Sequence, residues 1–198
     1  MGRRWFRFIL LSGVLAGVQC SRPYSGYTIF INPVRTTADL EAADLLQGTL
    51  QKMTRKSFPI QISDKMESGA LLLAAAEEES GHLPRPAEDS FHLKGSAKRL
   101  FITGGPGKGL INGVATFLEI LGCRKWSASE EDIPAVDVFA IPEIERFEEP
   151  VIQFRQVHYK DAFDKSYREW HKLDTFQDDW GMWVHTFDDL IPPDQYFD

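Results

Sequence analysis

The run from Arg99 to Trp126 constrains this chain more than any other, because it sets a strand, a turn and a helix in direct succession. Arg99-Leu100-Phe101-Ile102-Thr103 reads as a strand, and Gly104-Gly105-Pro106-Gly107-Lys108-Gly109 as a glycine-rich turn. Leu110, Val114, Phe117, Leu118 and Leu121 then recur at helical spacing, which predicts a helix from Leu110 to Leu121 with Gly122 just past its end. A strand that enters a helix through glycines is the arrangement that holds phosphates, since free N–H groups and the helix dipole both attract an anion there.

The spacing of the turn argues against a nucleotide. A Walker-type loop needs an earlier glycine and a Ser or Thr after Gly-Lys. Here Thr103 and Ile102 stand four and five residues before Gly107, and Gly109 follows Lys108. A dinucleotide fingerprint fails as well, because the position three after Gly107 is Leu110. The turn is therefore read as the tight connection that lays the helix on the sheet. A nucleotide-binding α/β domain is kept as a third alternative.

Charge and cysteines narrow the function classes. The 198 residues carry 29 acidic and 22 basic side chains, a net charge of −7, which repels a nucleic-acid backbone where no basic patch reverses it. No such patch stands outside the N-terminus, so no nucleic-acid partner is expected. There, Arg3, Arg4 and Arg7 precede the apolar run Phe8 to Val18, which is too short to span a bilayer. Residues 1–20 are expected to be a signal peptide, and the protein to be exported: periplasmic, an outer-membrane lipoprotein or extracellular. Cys20 stands where a bacterial lipoprotein carries its acylated cysteine, and lipid anchoring to a membrane and simple cleavage both remain open. Cys123 is the only other cysteine, so no disulfide framework or cysteine metal site is expected, and a buried, inert thiol is.

The remaining pattern is that of a mixed α/β (α+β) fold. Tyr27 to Ile31 reads as a strand; Thr36 and Asp39 read as a capping box for a helix from about Thr37 to Arg55. Phe58 to Ile62 is a short strand that Pro59 assigns to an edge or a strand start. Ala70 to Ala75 has strand length, though periodicity does not separate it from a short buried helix. Glu77 to Asp89 reads as an acidic loop. Phe91-His92-Leu93-Lys94 and Leu100-Phe101-Ile102 read as the arms of a hairpin. These elements predict a mixed β-sheet with one layer of helices packed on it. An edge strand near Val136 to Ala140 is expected next, then a proline- and glutamate-rich connection to Pro150. Val151 to Tyr159 resumes a strand pattern, Ser166 to Phe176 looks helical, and Trp180 to His185 begins another strand pattern.

The strand, Gly-Gly-Pro-x-Gly, Phe117-Leu118-Glu119 and Leu121-Gly122-Cys123-Arg124-x-Trp126 together resemble the N-terminal region of exported bacterial proteins that carry the domain of unknown function 4838. Phe154-Arg155, Trp183-Val184-His185-Thr186-Phe187 and Leu190 to Phe197 are similar to the same family. That accessory domain is similar in turn to the non-catalytic N-terminal domains of family 67 α-glucuronidases and family 20 β-hexosaminidases. The resemblance implies an accessory domain over residues 24–149, followed over residues 150–198 by the first strand-helix unit of an incomplete (β/α)₈ barrel. It implies a glycoside hydrolase acting on carbohydrate. A barrel needs about 250 residues, so this chain is expected not to be catalytic alone. A surface carbohydrate-binding or interaction protein without enzymatic activity is the alternative.

Arg155 is the first candidate for substrate binding, because related hexosaminidases use an arginine at the first barrel strand to hydrogen-bond sugar hydroxyls; a salt bridge to a neighbouring glutamate would account for it equally well. Strand alternation places Tyr159 on the Arg155 face and His158 on the other. His185, among Trp180, Trp183 and Phe187, is a further candidate for contact with a stacked sugar. The histidines lack metal-ligand spacing, so neither a metal nor another cofactor is expected. The aspartate pairs Asp161/Asp164, Asp178/Asp179 and Asp188/Asp189 read as caps or solvated faces, and no catalytic acid or nucleophile is assigned.

Overall fold

Helix α1 (Thr37–Thr54) starts where its capping box requires. The Thr36 N–H donates to Asp39 Oδ2 at 2.7 Å and the Asp39 N–H to Thr36 Oγ1 at 3.3 Å, satisfying two donors that a helix N-terminus leaves free. Arg55 ends it in the left-handed region at φ 58°. The computed structural model describes residues 25–33, 35–63, 70–75, 87–96, 99–152 and 154–175. The N-terminal segment with Cys20, and the C-terminal stretch with His185 and its expected strand, lie outside the described residues.

Strands β1 (Thr28–Ile31), β2 (Ile60–Ile62), β3 (Ala70–Ala75), β4 (Phe91–Ser96), β5 (Arg99–Gly104) and β8 (Ile144–Glu148) form one mixed sheet in the order β2-β1-β3-β5-β4-β8. The first four in that order are parallel, and β4 and β8 add antiparallel ladders at one side. β2 is an outer strand, where Pro59 at its entrance deprives no inner ladder of a donor. Ala70–Ala75 is a strand because it lies between β1 and β5 and pairs with both. Ile29, Ile31, Leu71, Leu73, Leu93, Leu100 and Ile102 are buried in a common core with Leu46, Leu50, Val114, Phe117 and Leu118 of the helices.

Helix α2 (Gly109–Ile120) is buried on every side from Gly109 to Leu118, with the sheet beneath it and α1 beside it. Close approach to the sheet needs Gly113, since a Cβ there would lie 2.6 Å from the Ile102 side chain. Cys123 is fully buried behind α2, and burial pushes its thiol pKa up to about 11.

Downstream of α2 the structure departs from the local sequence pattern in three places. First, Val136 to Ala140 forms no strand. Phe139 turns inward instead, edge-on to Tyr27 and Phe58 at ring separations of 5.0 and 5.6 Å, and the Val136 N–H donates to the Met53 carbonyl. The last strand of the sheet is β8, inside the segment read as a connection; its alternation was masked by three charges that an edge strand tolerates. Second, a small ladder of β6 (Arg124–Lys125) and β7 (Glu131–Asp132) sets Arg124 against Asp132 and Lys125 against Glu131. Third, the described residues between 151 and 159 form no strand, and none of the described residues pairs with them in a ladder.

A 3₁₀ turn (Lys160–Phe163) and α3 (Lys165–Trp170) follow, shorter than the helix expected from Ser166 to Phe176. Asp164 caps α3 by accepting the Tyr167 N–H at 2.9 Å, and Trp170 enters the core against α2. The segment after β8 thus packs on the helix layer.

Phe117→Ala, which empties a fully buried ring site, should lower stability by about 3–5 kcal/mol in urea denaturation. Cys123 should resist a thiol reagent at pH 8 while the protein is folded and react at the free-cysteine rate in denaturant, as peptide mapping would show.

Candidate functional site

The glycine turn after β5 carries its own anion. Lys108 is the N-cap of α2 and supplies no side-chain acceptor for the helix, so one must come from elsewhere. Asp89 provides it: the Lys108 N–H donates to Asp89 Oδ1 at 2.6 Å, and the Asp89 N–H donates to the Pro106 carbonyl at 2.8 Å. Asp89 reaches this position from a left-handed conformation at φ 59°. A Cβ on Gly107, itself at φ 79°, would stand 2.6 Å from the same carboxylate oxygen, and one on Gly109 would stand 2.2 Å from the Ser90 carbonyl. The glycines therefore admit the 87–90 segment to the helix N-terminus. An aspartate occupies the place a phosphate would take.

The other side of Asp89 faces Arg155. The Arg155 Nη2 donates to Asp89 Oδ2, Nε to the Lys172 carbonyl at 2.7 Å, and Nη1 to the Ile152 carbonyl at 3.0 Å. Asp174 completes the cluster by accepting the Lys108 ammonium at Oδ1 and the Arg155 N–H at Oδ2, the latter at 2.6 Å. The Lys108 ammonium also donates to the Leu173 carbonyl at 3.2 Å. Two cations and two carboxylates thus meet from four separate stretches of chain, with both carboxylate side chains only 10% exposed. Burial alone would raise the Asp174 pKa, but hydrogen bonds from Lys108 and the Arg155 backbone, with the two positive charges, hold it below the usual carboxylate value.

The expected site residues fall into different surroundings. Arg155 is 17% exposed and bound into the charge cluster, where its carboxylate partners are Asp89 and Asp174, distant in sequence, in place of a neighbouring glutamate. The Tyr159 hydroxyl donates to the Tyr167 hydroxyl at 3.0 Å, and the His158 ring stands edge-on to Phe163 at 5.5 Å. With no ladder between 151 and 159, no strand alternation aligns Tyr159 with Arg155. His185 and Cys20 lie outside the described residues.

Asp89, Lys108 and Asp174 were not singled out as partners of Arg155. They are separated by 19 and 66 residues along the chain, so only the missing N-cap side chain before Leu110 signalled that an acceptor was owed.

Two clefts border the cluster. One, of about 440 Å³, is lined by Phe91, Asn112, Phe147, Glu148, Arg155 and Lys172 among others; the second, of about 660 Å³, runs past Lys108, Phe154, Arg168 and Glu169. Burial raises the Glu169 pKa in the second cleft, and the neighbouring Lys165 offsets part of that rise. Among the described residues, no group of three or more His, Cys, Asp or Glu side chains is placed to hold a metal ion.

The mixed sheet under a helix layer is a fold that this chain shares with part of a solved glycoside hydrolase. The solved structure of a family GH115 4-O-methyl-α-glucuronidase, BtGH115A, with specificity for decorated arabinogalactans, shares the fold: 14% identity over 68% of this chain and 19% of that one, at a TM-score of 0.52. The GH20 β-N-acetylhexosaminidase from Streptomyces coelicolor A3(2) also matches, at 23% identity over 68% of this chain and 24% of its own, with a TM-score of 0.48. So does a GH138 enzyme targeting pectin rhamnogalacturonan II, at 16% identity over 48% of this chain and 10% of its own, with a TM-score of 0.37. The chain spans between 10% and 24% of the length of these proteins. Residues 125–198 match the family described as a domain of unknown function, DUF4838, in keeping with the resemblance read from the sequence motifs. No curated protein sequence matches the chain.

Asp174→Asn should weaken the protein at pH 7 by about 1–3 kcal/mol, since it leaves Lys108 and Arg155 short of a carboxylate. A depressed carboxyl pKa stabilises fully above the unfolded value and progressively less as pH falls through the folded one. The variant should therefore lose less stability than the wild type between pH 5 and pH 2, as guanidinium titrations at stepped pH would show.

Proposed function

We propose that residues 24–149 form a non-catalytic accessory domain and that residues 150–198 begin the barrel-type module of an exported glycoside hydrolase. Carbohydrate is then the partner of the complete protein, and turnover needs polypeptide beyond this stretch. The observation that carries this reading is the joint at the glycine turn. Asp89 and Lys108 of the sheet-and-helix unit bind Arg155 and Asp174 of the following segment, so the two parts meet through a charged seam. The DUF4838 match begins within the first part and continues across that seam.

On this reading Arg155 is first a residue that positions the start of the second module. Because it borders both clefts, a sugar held there would meet the guanidinium beside Asp89. Tyr159, His158 and His185 are the further candidates for sugar contact. Export rests on Arg3, Arg4, Arg7 and the apolar run Phe8 to Val18, with Cys20 either lipid-modified or next to a cleavage site.

The purified chain should release no product from aryl glucuronides, aryl N-acetylhexosaminides or pectic polysaccharides over a day, assayed colorimetrically and by reducing ends. Measurable turnover would overturn the accessory reading. Retardation of the chain in polysaccharide-containing native gels without turnover would favour the carbohydrate-binding alternative. Mass spectrometry of the mature N-terminus from the native host decides between a diacylglyceryl Cys20 and a plain cleaved terminus.

A further inference from the structure

The outer edge of β8 is unoccupied among the described residues, and it has the pattern of a strand that fits its own image. The ladder with β4 sets Arg146 opposite Leu93 and Glu148 opposite Phe91, so both charges lie on the helix side of the sheet. Phe147 is set opposite His92, on the other face, and is 62% exposed. Val151 and Ile152, 96% and 66% exposed, come after Glu149 and Pro150. A free strand edge beside exposed apolar side chains is a template for another strand.

We propose that β8 pairs antiparallel with β8 of a second copy of this chain, about a two-fold axis that passes through Phe147 perpendicular to the sheet. This register sets Phe147 against Phe147 of the second copy and places Arg146 opposite its Glu148 twice, once on each side of the axis, so that the pair Arg146 makes with Glu148 of its own strand extends into a four-charge row across the seam. Residues directly opposite on one face lie close enough for aromatic and opposite-charge pairs to stabilise the ladder. Charge excludes the neighbouring registers. Centring on Arg146 opposes two arginines, centring on Glu145 or Glu148 opposes two glutamates, and centring on Ile144 sets Glu145 against Glu143. In the Phe147 register Glu145 faces Glu149 twice, once on each side of the axis, and each Glu145 is already matched by His92 at 3.1 Å and Lys94 at 3.2 Å of its own chain.

The axis keeps the helix layers of both copies on one side and joins the two sheets edge to edge. The same charges discourage pairing with an unrelated apolar strand, which is the usual protection of an exposed edge. Five paired residues bury less than the roughly 1,200 Å² of a standard interface, which puts the dimer among weak, transient assemblies. This assembly goes beyond the carbohydrate reading and stands whether or not the chain meets a sugar.

Sedimentation velocity from about 1 to about 500 µM should show a concentration-dependent monomer–dimer equilibrium. Arg146→Glu, at an exposed position, should weaken association at least about tenfold, and the double swap Arg146→Glu with Glu148→Arg should bring it back to within about threefold. Circular dichroism melts check that each variant is folded. Independently of those charges, Phe147→Cys in a Cys20→Ser chain should oxidise to a disulfide-linked dimer, because the introduced thiols face each other across the axis. A chain that stays monomeric throughout, association that Arg146→Glu leaves unchanged, or failure of Phe147→Cys to cross-link would each overturn the proposal.

Discussion

The structure depends on one carboxylate at one helix end. Helix α2 begins without a side-chain cap, so its first N–H groups need an acceptor from outside the helix, and Asp89 supplies it from a left-handed turn made possible by the glycines around it. With that end anchored, α2 lies low enough on β5 for Gly113 to touch Ile102, and its buried faces knit the sheet, α1 and α3 together. Asp89 then has a second oxygen to offer, and Arg155 takes it. One residue therefore ends the connection between strand and helix and starts the connection to the segment after β8.

This double use explains how a turn with the composition of a phosphate loop is satisfied from within the chain. The electrostatic preference of a helix N-terminus for negative charge is a property of the backbone, and a side chain from the same protein satisfies it as well as a ligand does. Once satisfied internally, the preference becomes a structural constraint. Lys108, which in a nucleotide site would reach for a phosphate, reaches instead for Asp174.

The segment beyond β8 shows the limits of local pattern. Val151 to Tyr159 has the residue types of a strand, but a strand is secured by partners on its flanks, and the described residues offer it none. It is held by contacts with residues 174 and 175: the Asp174 N–H donates to the Arg155 carbonyl, and the Gln156 side chain to the Thr175 carbonyl. β8 shows the opposite case. Its glutamates and prolines on either side read as a connection, yet a ladder with β4 makes it the edge of the sheet.

Most of the fold was legible in local sequence. The Thr36–Asp39 box placed α1, the run from Arg99 to Leu121 placed β5 and α2, and Pro59 limited its strand to an edge or a strand start, because caps, apolar periodicity and proline act within a few residues of themselves. The sheet order, the inward turn of Phe139 and the identity of the edge strand were decided only by tertiary packing. So was the charge cluster. Asp89, Lys108, Arg155 and Asp174 carry no common motif, and nothing local in the sequence links them. Coulombic attraction and hydrogen bonding act through space, so only the folded chain, with α2 pinned on the sheet, brings these four residues within reach of one another.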